Sequence, residues 1–261
     1  MSASDIGKSL GQAAAGKKPK PLFLLKRGML PENVRVPLVE KIISRLALAF
    51  GMLPLAAVAA DHDSSRWEKS IARFEAADKK QMPRTDGILF IGSSSIRMWK
   101  TLERDFPGEP VINRGFGGSQ IADSVHFAGR IVHPYKPRQI VLYAGDNDVA
   151  AGKSPETVLT DFQQFVKTVH AKLPKARVSF IAIKPSLSRW KLSGKMARAN
   201  SLVRDACGKD KRLDYVDIWQ PMLGDDGRPR PDLFLGDGLH LNTKGYALWT
   251  SIVKPHLTRR E

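Results

Sequence analysis

The fold is indicated most clearly by the stretch Gly87-Ile88-Leu89-Phe90-Ile91-Gly92-Ser93-Ser94-Ser95. Its four consecutive apolar residues, closed by a glycine, are typical of a strand buried on both faces of a parallel sheet. The serines follow the predicted strand end, which is where open α/β sheets bind their ligands. The stretch therefore predicts a buried first strand and a candidate site directly after it.

Further strands and helices alternate along the chain. Short apolar runs predict four more strands, over 110–113, 139–144, 177–183 and 213–217. Helical spacing of apolar residues predicts helices from Trp67, from Ile121, after the capping residue Ser154, over about 195–208, and after the capping residue Asn242. This alternation predicts an α/β fold with a mostly parallel five-stranded sheet covered on both faces.

Composition excludes several classes of protein. The chain has 261 residues, a formal net charge of +16 and one cysteine, Cys207, so it holds neither an intramolecular disulfide nor a four-thiolate zinc site. No clean apolar run reaches the ~18 residues of a membrane span, which excludes a multi-pass membrane protein. The positive charge suits a solvated surface and leaves open electrostatic contact with an anionic cell envelope. No nucleic-acid-binding motif accompanies it, and the oligomeric state is left open.

Residues 1–60 are interpreted as a leader that precedes a single folded domain. Basic residues lie before an apolar stretch over about 46–60 that ends in small residues, which is the pattern of a secretory signal. We expect cleavage after Ala59 or Ala60, and a periplasmic or secreted protein. Because the apolar stretch lies far from the first residue, three alternatives stay open: an internal start at Met29, an unusually long leader, or an uncleaved membrane anchor.

Three more segments carry polar or glycine residues directly after a predicted strand or before a helix. They are Asn113-Arg114-Gly115-Phe116-Gly117-Gly118-Ser119, Gly145-Asp146-Asn147-Asp148 and Asp237-Gly238-Leu239-His240. With the serine stretch, and in this order, they resemble the SGNH, or GDSL-type, hydrolase superfamily over about residues 87–257. The same stretch also resembles the bacterial branch similar to platelet-activating-factor acetylhydrolase catalytic subunits. The resemblance implies a flavodoxin-like three-layer α/β/α domain over 61–261, ester hydrolysis, and no metal or other cofactor.

The resemblance also assigns a catalytic triad. It makes Ser94 the nucleophile, His240 the general base, and Asp237 the carboxylate that orients the base. The residue types suit this chemistry, because a serine hydroxyl needs a base that titrates near neutrality and the imidazole needs an acceptor on its other nitrogen. Ser93 stands where the family usually has aspartate. Three consecutive serines also leave Ser93 and Ser95 open as nucleophiles.

The same resemblance predicts an oxyanion hole. Its donors are the backbone N–H groups of Ser94 and Gly118 and the side-chain amide of Asn147. Donors of this kind must already point at the negative oxygen of a tetrahedral intermediate. A glycine at 118 lets the backbone approach the substrate closely.

Four further residues are candidates for the substrate pocket: Arg97, Trp99, Asp146 and Trp190. Asp146 either disfavours anionic substrates or caps its own loop through backbone N–H groups. The two tryptophans suit the pocket rim and the core about equally.

These observations together predict a serine esterase that acts on small-molecule or carbohydrate esters. Short acyl groups are expected, acetyl first, by analogy with the related acetylhydrolases. Lysophospholipid and thioester substrates stay open. The alternatives are an envelope O-acetyltransferase that uses the same chemistry and a non-catalytic envelope-binding module on the same fold.

Overall fold

The computed structural model describes residues 62–258. The predicted leader and signal segment therefore lie outside the described residues. The α-helices and strands of this part of the chain, in order, are α1 (Glu68–Lys80), β1 (Ile88–Gly92), α2 (Ser94–Arg97), α3 (Leu102–Asp105), β2 (Val111–Gly115), α4 (Ile121–Ile131), β3 (Gln139–Tyr143), α5 (Asp146–Ala150), α6 (Pro155–His170), β4 (Arg177–Ile181), α7 (Ser193–Cys207), β5 (Leu213–Val216) and α8 (Thr243–Val253).

The five described strands form one sheet in the order β2-β1-β3-β4-β5, and every neighbouring pair is parallel. The predicted α/β fold is confirmed. Gly92, the last residue of β1, pairs with Gly115 of β2 and with Tyr143 of β3. Because these three strand ends are level, the segments that follow them meet at one edge of the sheet.

The pleat of β1 sorts its side chains between two cores. Leu89 and Ile91 pack with α1, α4, α6 and α7, whereas Ile88 and Phe90 pack with α2, α3 and α8. Successive strand residues point to opposite faces, so a continuous apolar run fills both. The result is three layers, with the sheet in the middle. Cys207 is buried in the first of these cores, and burial raises the pKa of its thiol to about 12.

The predicted helix starts at Ser154 and Asn242 are confirmed by their capping bonds. The Ser154 hydroxyl accepts from the Thr157 N–H at 3.1 Å, and the Asn242 side chain accepts from the Gly245 N–H at 3.1 Å. Each cap satisfies a backbone donor that the helix itself leaves free. None of the helices within residues 62–258 has the length and apolarity needed to cross a membrane.

Candidate active site

A tight turn at the end of β1 presents Ser94 at the edge of the sheet. Gly92 has φ of 127°, and a Cβ atom there would lie 1.9 Å from the Tyr143 carbonyl oxygen, so only glycine fits. The Ser93 N–H donates to the same carbonyl oxygen at 2.9 Å. Helix α2 then begins at Ser94. This glycine fixes where the serine stands relative to the sheet.

Ser94 lies in a chain of hydrogen bonds with His240 and Asp237. The His240 Nε2 atom is 3.0 Å from Ser94 Oγ, and its Nδ1 atom is 2.6 Å from Asp237 Oδ2. The other Asp237 oxygen accepts the backbone N–H groups of Leu239 and His240, each at 2.9 Å. These bonds, with that to the imidazole the strongest, lower the pKa of Asp237 to about 2. The carboxylate is therefore ionised at neutral pH.

The neighbouring serines are placed differently. Ser93 and Ser95 are only 2% and 1% exposed, and Ser95 Oγ has no hydrogen-bond partner among residues 62–258. Ser94 is half-buried and is the serine whose hydroxyl meets the imidazole. The arrangement therefore favours Ser94 over both neighbours.

The turn after β2, residues 116–120, is called the glycine loop below. Gly118 has φ of 79°, and a Cβ atom there would lie 3.1 Å from the Trp67 ring. Arg66 stacks on Trp67 at 4.5 Å and donates from Nη2 to the Gly118 carbonyl oxygen at 3.3 Å. The residues just before α1 thus cover the loop, a contact that the sequence did not indicate.

Asn147, in the first turn of α5, connects the glycine loop to Arg189. Its Nδ2 donates to the Ser119 carbonyl oxygen at 3.0 Å, and its Oδ1 accepts from Arg189 Nη1 at 3.1 Å. Both ends of the amide are therefore fixed, and one N–H of the NH₂ group is left to donate elsewhere.

Two buried carboxylates that sequence reasoning missed anchor the far end of the glycine loop. Asp123, fully buried, accepts the Gln120 N–H at 2.7 Å, the Ser64 hydroxyl at 2.8 Å and His62 Nε2 at 2.8 Å. The Gln120 bond is a local helix cap, but His62 and Ser64 lie 61 and 59 residues before Asp123, so local sequence carried no signal for those two partners.

Asp148 is the second anchor. Its oxygens accept the Ile121 N–H at 3.2 and 3.3 Å, and Lys153 Nζ donates to Oδ1 at 3.1 Å. Burial raises the pKa of Asp148, although Lys153 opposes this effect. The start of α4, and with it the end of the glycine loop, is thereby tied to α5.

Asp146 has neither of its two predicted roles, which were to disfavour anionic substrates or to cap its own loop. It is 4% exposed, and its carboxylate pairs with Lys184 Nζ at 2.6 Å and with Arg189 Nη1. Burial alone would raise the pKa of Asp146, but the charges of Lys184 and Arg189 hold it below its usual value. The carboxylate is thus neutralised by two cations, so it neither faces substrate as a free negative charge nor caps the loop through backbone N–H groups.

Trp99, predicted as a pocket candidate, is a core residue. It is 1% exposed and contacts Phe90, Phe106 and Trp249 at ring-centroid distances of 5.7, 5.6 and 6.0 Å. From the sequence alone, an aromatic ring after the serine stretch could face the pocket or the core. The apolar cluster on this side of the sheet holds the ring in the core.

The other two pocket candidates lie nearer the surface. Trp190 is half-buried, and its ring lies against Trp219 at 6.4 Å and under Arg228 at 5.6 Å. Arg97 is exposed and lies against Gly117, with Nε 2.6 Å from the position that a Cβ atom there would take. Arg97 therefore touches the glycine loop. Within residues 62–258, no group of three or more His, Cys, Asp or Glu side chains is arranged to hold a metal ion.

The chain is similar to one known protein family and to several solved structures. The model of the GDSL-like lipase/acylhydrolase family matches residues 91–248, more than half of the chain. No curated protein sequence matches.

Several solved structures share the fold. A protein from Streptococcus pneumonia assigned as a platelet activating factor is 18% identical, with a TM-score of 0.67 over 74% of this chain and 94% of its own. A GDSL-like lipase from Bacteroides thetaiotaomicron VPI-5482 is 22% identical, with a TM-score of 0.56 over 74% of this chain and 96% of its own. The acetyl xylan esterase AlAXEase is 18% identical, with a TM-score of 0.55 over 66% of this chain and 99% of its own.

Proposed function

This chain belongs to the GDSL-like lipase/acylhydrolase family and is a hydrolase that acts on ester bonds, and from that premise we propose that it works as a serine esterase. The observation that carries the proposal is the hydrogen-bond chain from Ser94 Oγ through the His240 imidazole to Asp237. Nucleophile, base and orienting carboxylate stand in the order that acyl transfer needs.

Ser94 and His240 perform the covalent steps. His240 Nε2 takes the hydroxyl proton while Ser94 Oγ attacks the ester carbonyl carbon, and the imidazolium then protonates the departing alkoxide. The alcohol leaves and an acyl-enzyme forms. Water, deprotonated by the same imidazole, attacks that ester, releases the carboxylic acid and restores the serine. Asp237 stays ionised throughout and stabilises the imidazolium between the two transfers.

Gly118, Asn147 and the Ser94 backbone N–H serve as oxyanion donors. Support comes from the fixed orientation of the Asn147 amide, whose Oδ1 is held by Arg189 so that Nδ2 faces the glycine loop. Donors that need no reorganisation as the negative oxygen forms lower the barrier most, and loss of one costs about 3 kcal/mol.

The acyl group is short, acetyl above all, and the substrate is a small-molecule or carbohydrate ester. The resemblance to acetylhydrolases supports this choice, and one protein with the same fold is an acetyl xylan esterase. The enzyme acts in the periplasm or outside the cell, where the signal-like segment over about 46–60 would deliver it.

Turnover of 4-nitrophenyl acetate, butyrate and octanoate by the purified protein tests the proposal. We expect kcat/KM to fall from acetate to octanoate, and heat-inactivated protein to give only background hydrolysis. Equal rates for all three esters would overturn the short-acyl assignment. A folded protein that hydrolyses none of them would overturn the general-esterase assignment.

A further inference from the structure

Two cations, Lys184 and Arg189, face the single carboxylate of Asp146. Lys184 is 1% exposed and is matched by the single carboxylate of Asp146, which leaves the charge of Arg189 as a surplus. The Arg189 side chain is 22% exposed and reaches solvent beside Asn147. Of the other carboxylates at the site, Asp237 is engaged by His240 and Asp148 by Lys153, and Asp123 lies at the far end of the glycine loop.

Arg189 also has hydrogen-bonding capacity to spare. Its Nη1 atom donates to Asp146 and to Asn147, whereas Nε and Nη2 have no hydrogen-bond partner among residues 62–258. A guanidinium carries five N–H donors in a planar fork that matches a carboxylate. Part of that fork is therefore available to a ligand.

Two more arginines contact the glycine loop. Arg66 donates to the Gly118 carbonyl oxygen, and Arg97 lies against Gly117. Neither arginine forms an ion pair in the described part of the chain. Asp63, the acidic residue near Arg66, accepts the Ser65 N–H and acts on Arg66 only at longer range. Positively charged side chains thus lie both beside Asn147 and along the glycine loop.

The backbone places Arg189 on the alcohol side of the ester. The Ser188 N–H donates to the Gly238 carbonyl oxygen at 3.1 Å, so the segment that carries Arg189 abuts the loop of Asp237 and His240. The departing alkoxide takes its proton from the His240 imidazolium and must leave next to that loop. A charged group on the alcohol would therefore lie nearest Arg189.

We propose that Arg189 forms a carboxylate subsite and that the substrate is an acyl ester of an alcohol that itself carries a carboxylate, such as a hydroxy acid or an acidic sugar. The inference rests on the proposed esterase function and narrows its substrate class. The carboxylate takes no part in bond making; it binds the free face of the guanidinium and holds the ester over Ser94 Oγ. Asp146 and the Asn147 amide hold the guanidinium through its Nη1 atom.

Matched pairs of aryl acetates test the subsite. The probes are 3- and 4-acetoxybenzoate, each against the neutral acetoxybenzamide of the same geometry, with kcat/KM measured for the parent protein, Arg189→Gln, Arg189→Lys and Arg198→Gln. Arg198 is the control, an exposed arginine of α7 whose nearest carboxylate, on Glu156, is 3.9 Å away. 4-Nitrophenyl acetate is measured alongside as a charge-free reference.

We expect the parent to prefer at least one benzoate over its benzamide by about tenfold to hundredfold, the range of a charge-assisted hydrogen bond. Added salt should reduce the preference. Arg189→Gln should abolish it, Arg189→Lys should keep part of it, and Arg198→Gln should leave it unchanged. Arg189→Gln also removes the hydrogen bond to Asn147, so kcat/KM should fall for every substrate. The ratio of kcat/KM within each matched pair therefore measures the subsite alone.

A variant Arg189→Gln that lowers both members of each pair equally would overturn the proposal and leave Arg189 as a positioning residue for Asn147. A parent that hydrolyses 4-nitrophenyl acetate without preferring either benzoate would likewise overturn the subsite while the esterase function stands. A folded parent that hydrolyses no ester at all would overturn the esterase function and the subsite with it.

Discussion

In the proposed mechanism, Asp237 acts on catalysis only through His240. Its carboxylate accepts from the imidazole and from two backbone N–H groups, so it fixes the ring and its tautomer. The lowered pKa, about 2, means that Asp237 stays ionised near neutral pH. Any acid limb of the activity profile near neutrality must come from another group.

Asp237→Asn should therefore reduce kcat by up to about 10⁴-fold, since an amide favours the wrong imidazole tautomer. The folded structure should persist, because the loop backbone bonds can still form. Steady-state kinetics on 4-nitrophenyl acetate with circular dichroism checks this. Asp232→Asn, which removes an exposed ion pair with Arg230, is the control and should keep the parental kcat. A parental kcat in Asp237→Asn would contradict the assigned role.

The buried ion pair of Asp146 and Lys184 lies at the candidate site and should also stabilise the fold. Asp146→Asn leaves the buried ammonium without its carboxylate, so the free energy of unfolding near neutral pH should fall by about 3–5 kcal/mol. Because the folded-state pKa of Asp146 lies below the usual value, the pair stabilises the fold at pH above about 4 and loses that effect as the pH falls through the lowered pKa.

Urea unfolding of parent and Asp146→Asn across pH measures this effect. The difference in free energy of unfolding should be largest at about pH 6–8 and should narrow below about pH 4. A difference that stays constant over the whole range would show that the charge of Asp146 does not stabilise the fold.

At the scale of elements, the glycine loop depends on a conformation that other residues avoid. Gly118→Ala would place a Cβ at positive φ and against the Trp67 ring. We expect a loss of about 1–2 kcal/mol in stability and a fall in kcat of up to about 10²–10³-fold as the backbone donor moves, with KM changed little.

Gly194→Ala in α7 is the matched control. Nothing lies within 4 Å of its added Cβ, and its φ is not positive, so it should stabilise the fold by about 0.4–1 kcal/mol and keep the parental kcat. Thermal unfolding and kinetics of both variants measure the contrast. If the two alanine variants behave alike, the loop conformation at Gly118 does not matter for catalysis.

The long elements could be predicted from the sequence and the short ones could not. Apolar periodicity over eleven or more residues located α1, α4, α6, α7 and α8, and apolar runs located every strand of the sheet. Helices α2 and α5, which carry Ser94 and Asn147, have four and five residues, too few for a periodic pattern. Neither helix was predicted; Ser94 and Asn147 were identified from their places after predicted strands and from the family resemblance.

The sequence also could not reveal contacts between distant segments. Asp123 is 61 residues from His62, and Asp146 is 38 residues from Lys184. No local spacing announces such pairs, and the interpretation of Asp146 as a free or capping carboxylate was wrong for that reason. The motifs identified the residues that meet at Ser94. The buried ion pairs that support those residues join distant segments, so they could be identified only from the folded structure.

At the scale of the whole molecule, the proposal of export rests on residues that precede the described domain. The full chain, expressed in a bacterium, should be recovered outside the cytoplasm with a mature N-terminus near Ala60, because the signal-like segment ends there. Subcellular fractionation with N-terminal mass spectrometry measures this. Recovery of uncleaved chain in the cytoplasm would contradict export, and uncleaved chain in the membrane fraction would support an anchor.

The most direct test of the central claim, that Ser94 is an activated nucleophile, is covalent labelling with a fluorophosphonate followed by peptide mapping. We expect one label per folded chain, located on Ser94, and no label on the Ser94→Ala variant. Ser95→Ala is the control: its buried hydroxyl has no hydrogen-bond partner among the described residues, so the variant should fold and label like the parent. A label on Ser93 or Ser95, or undiminished labelling of Ser94→Ala, would contradict the account.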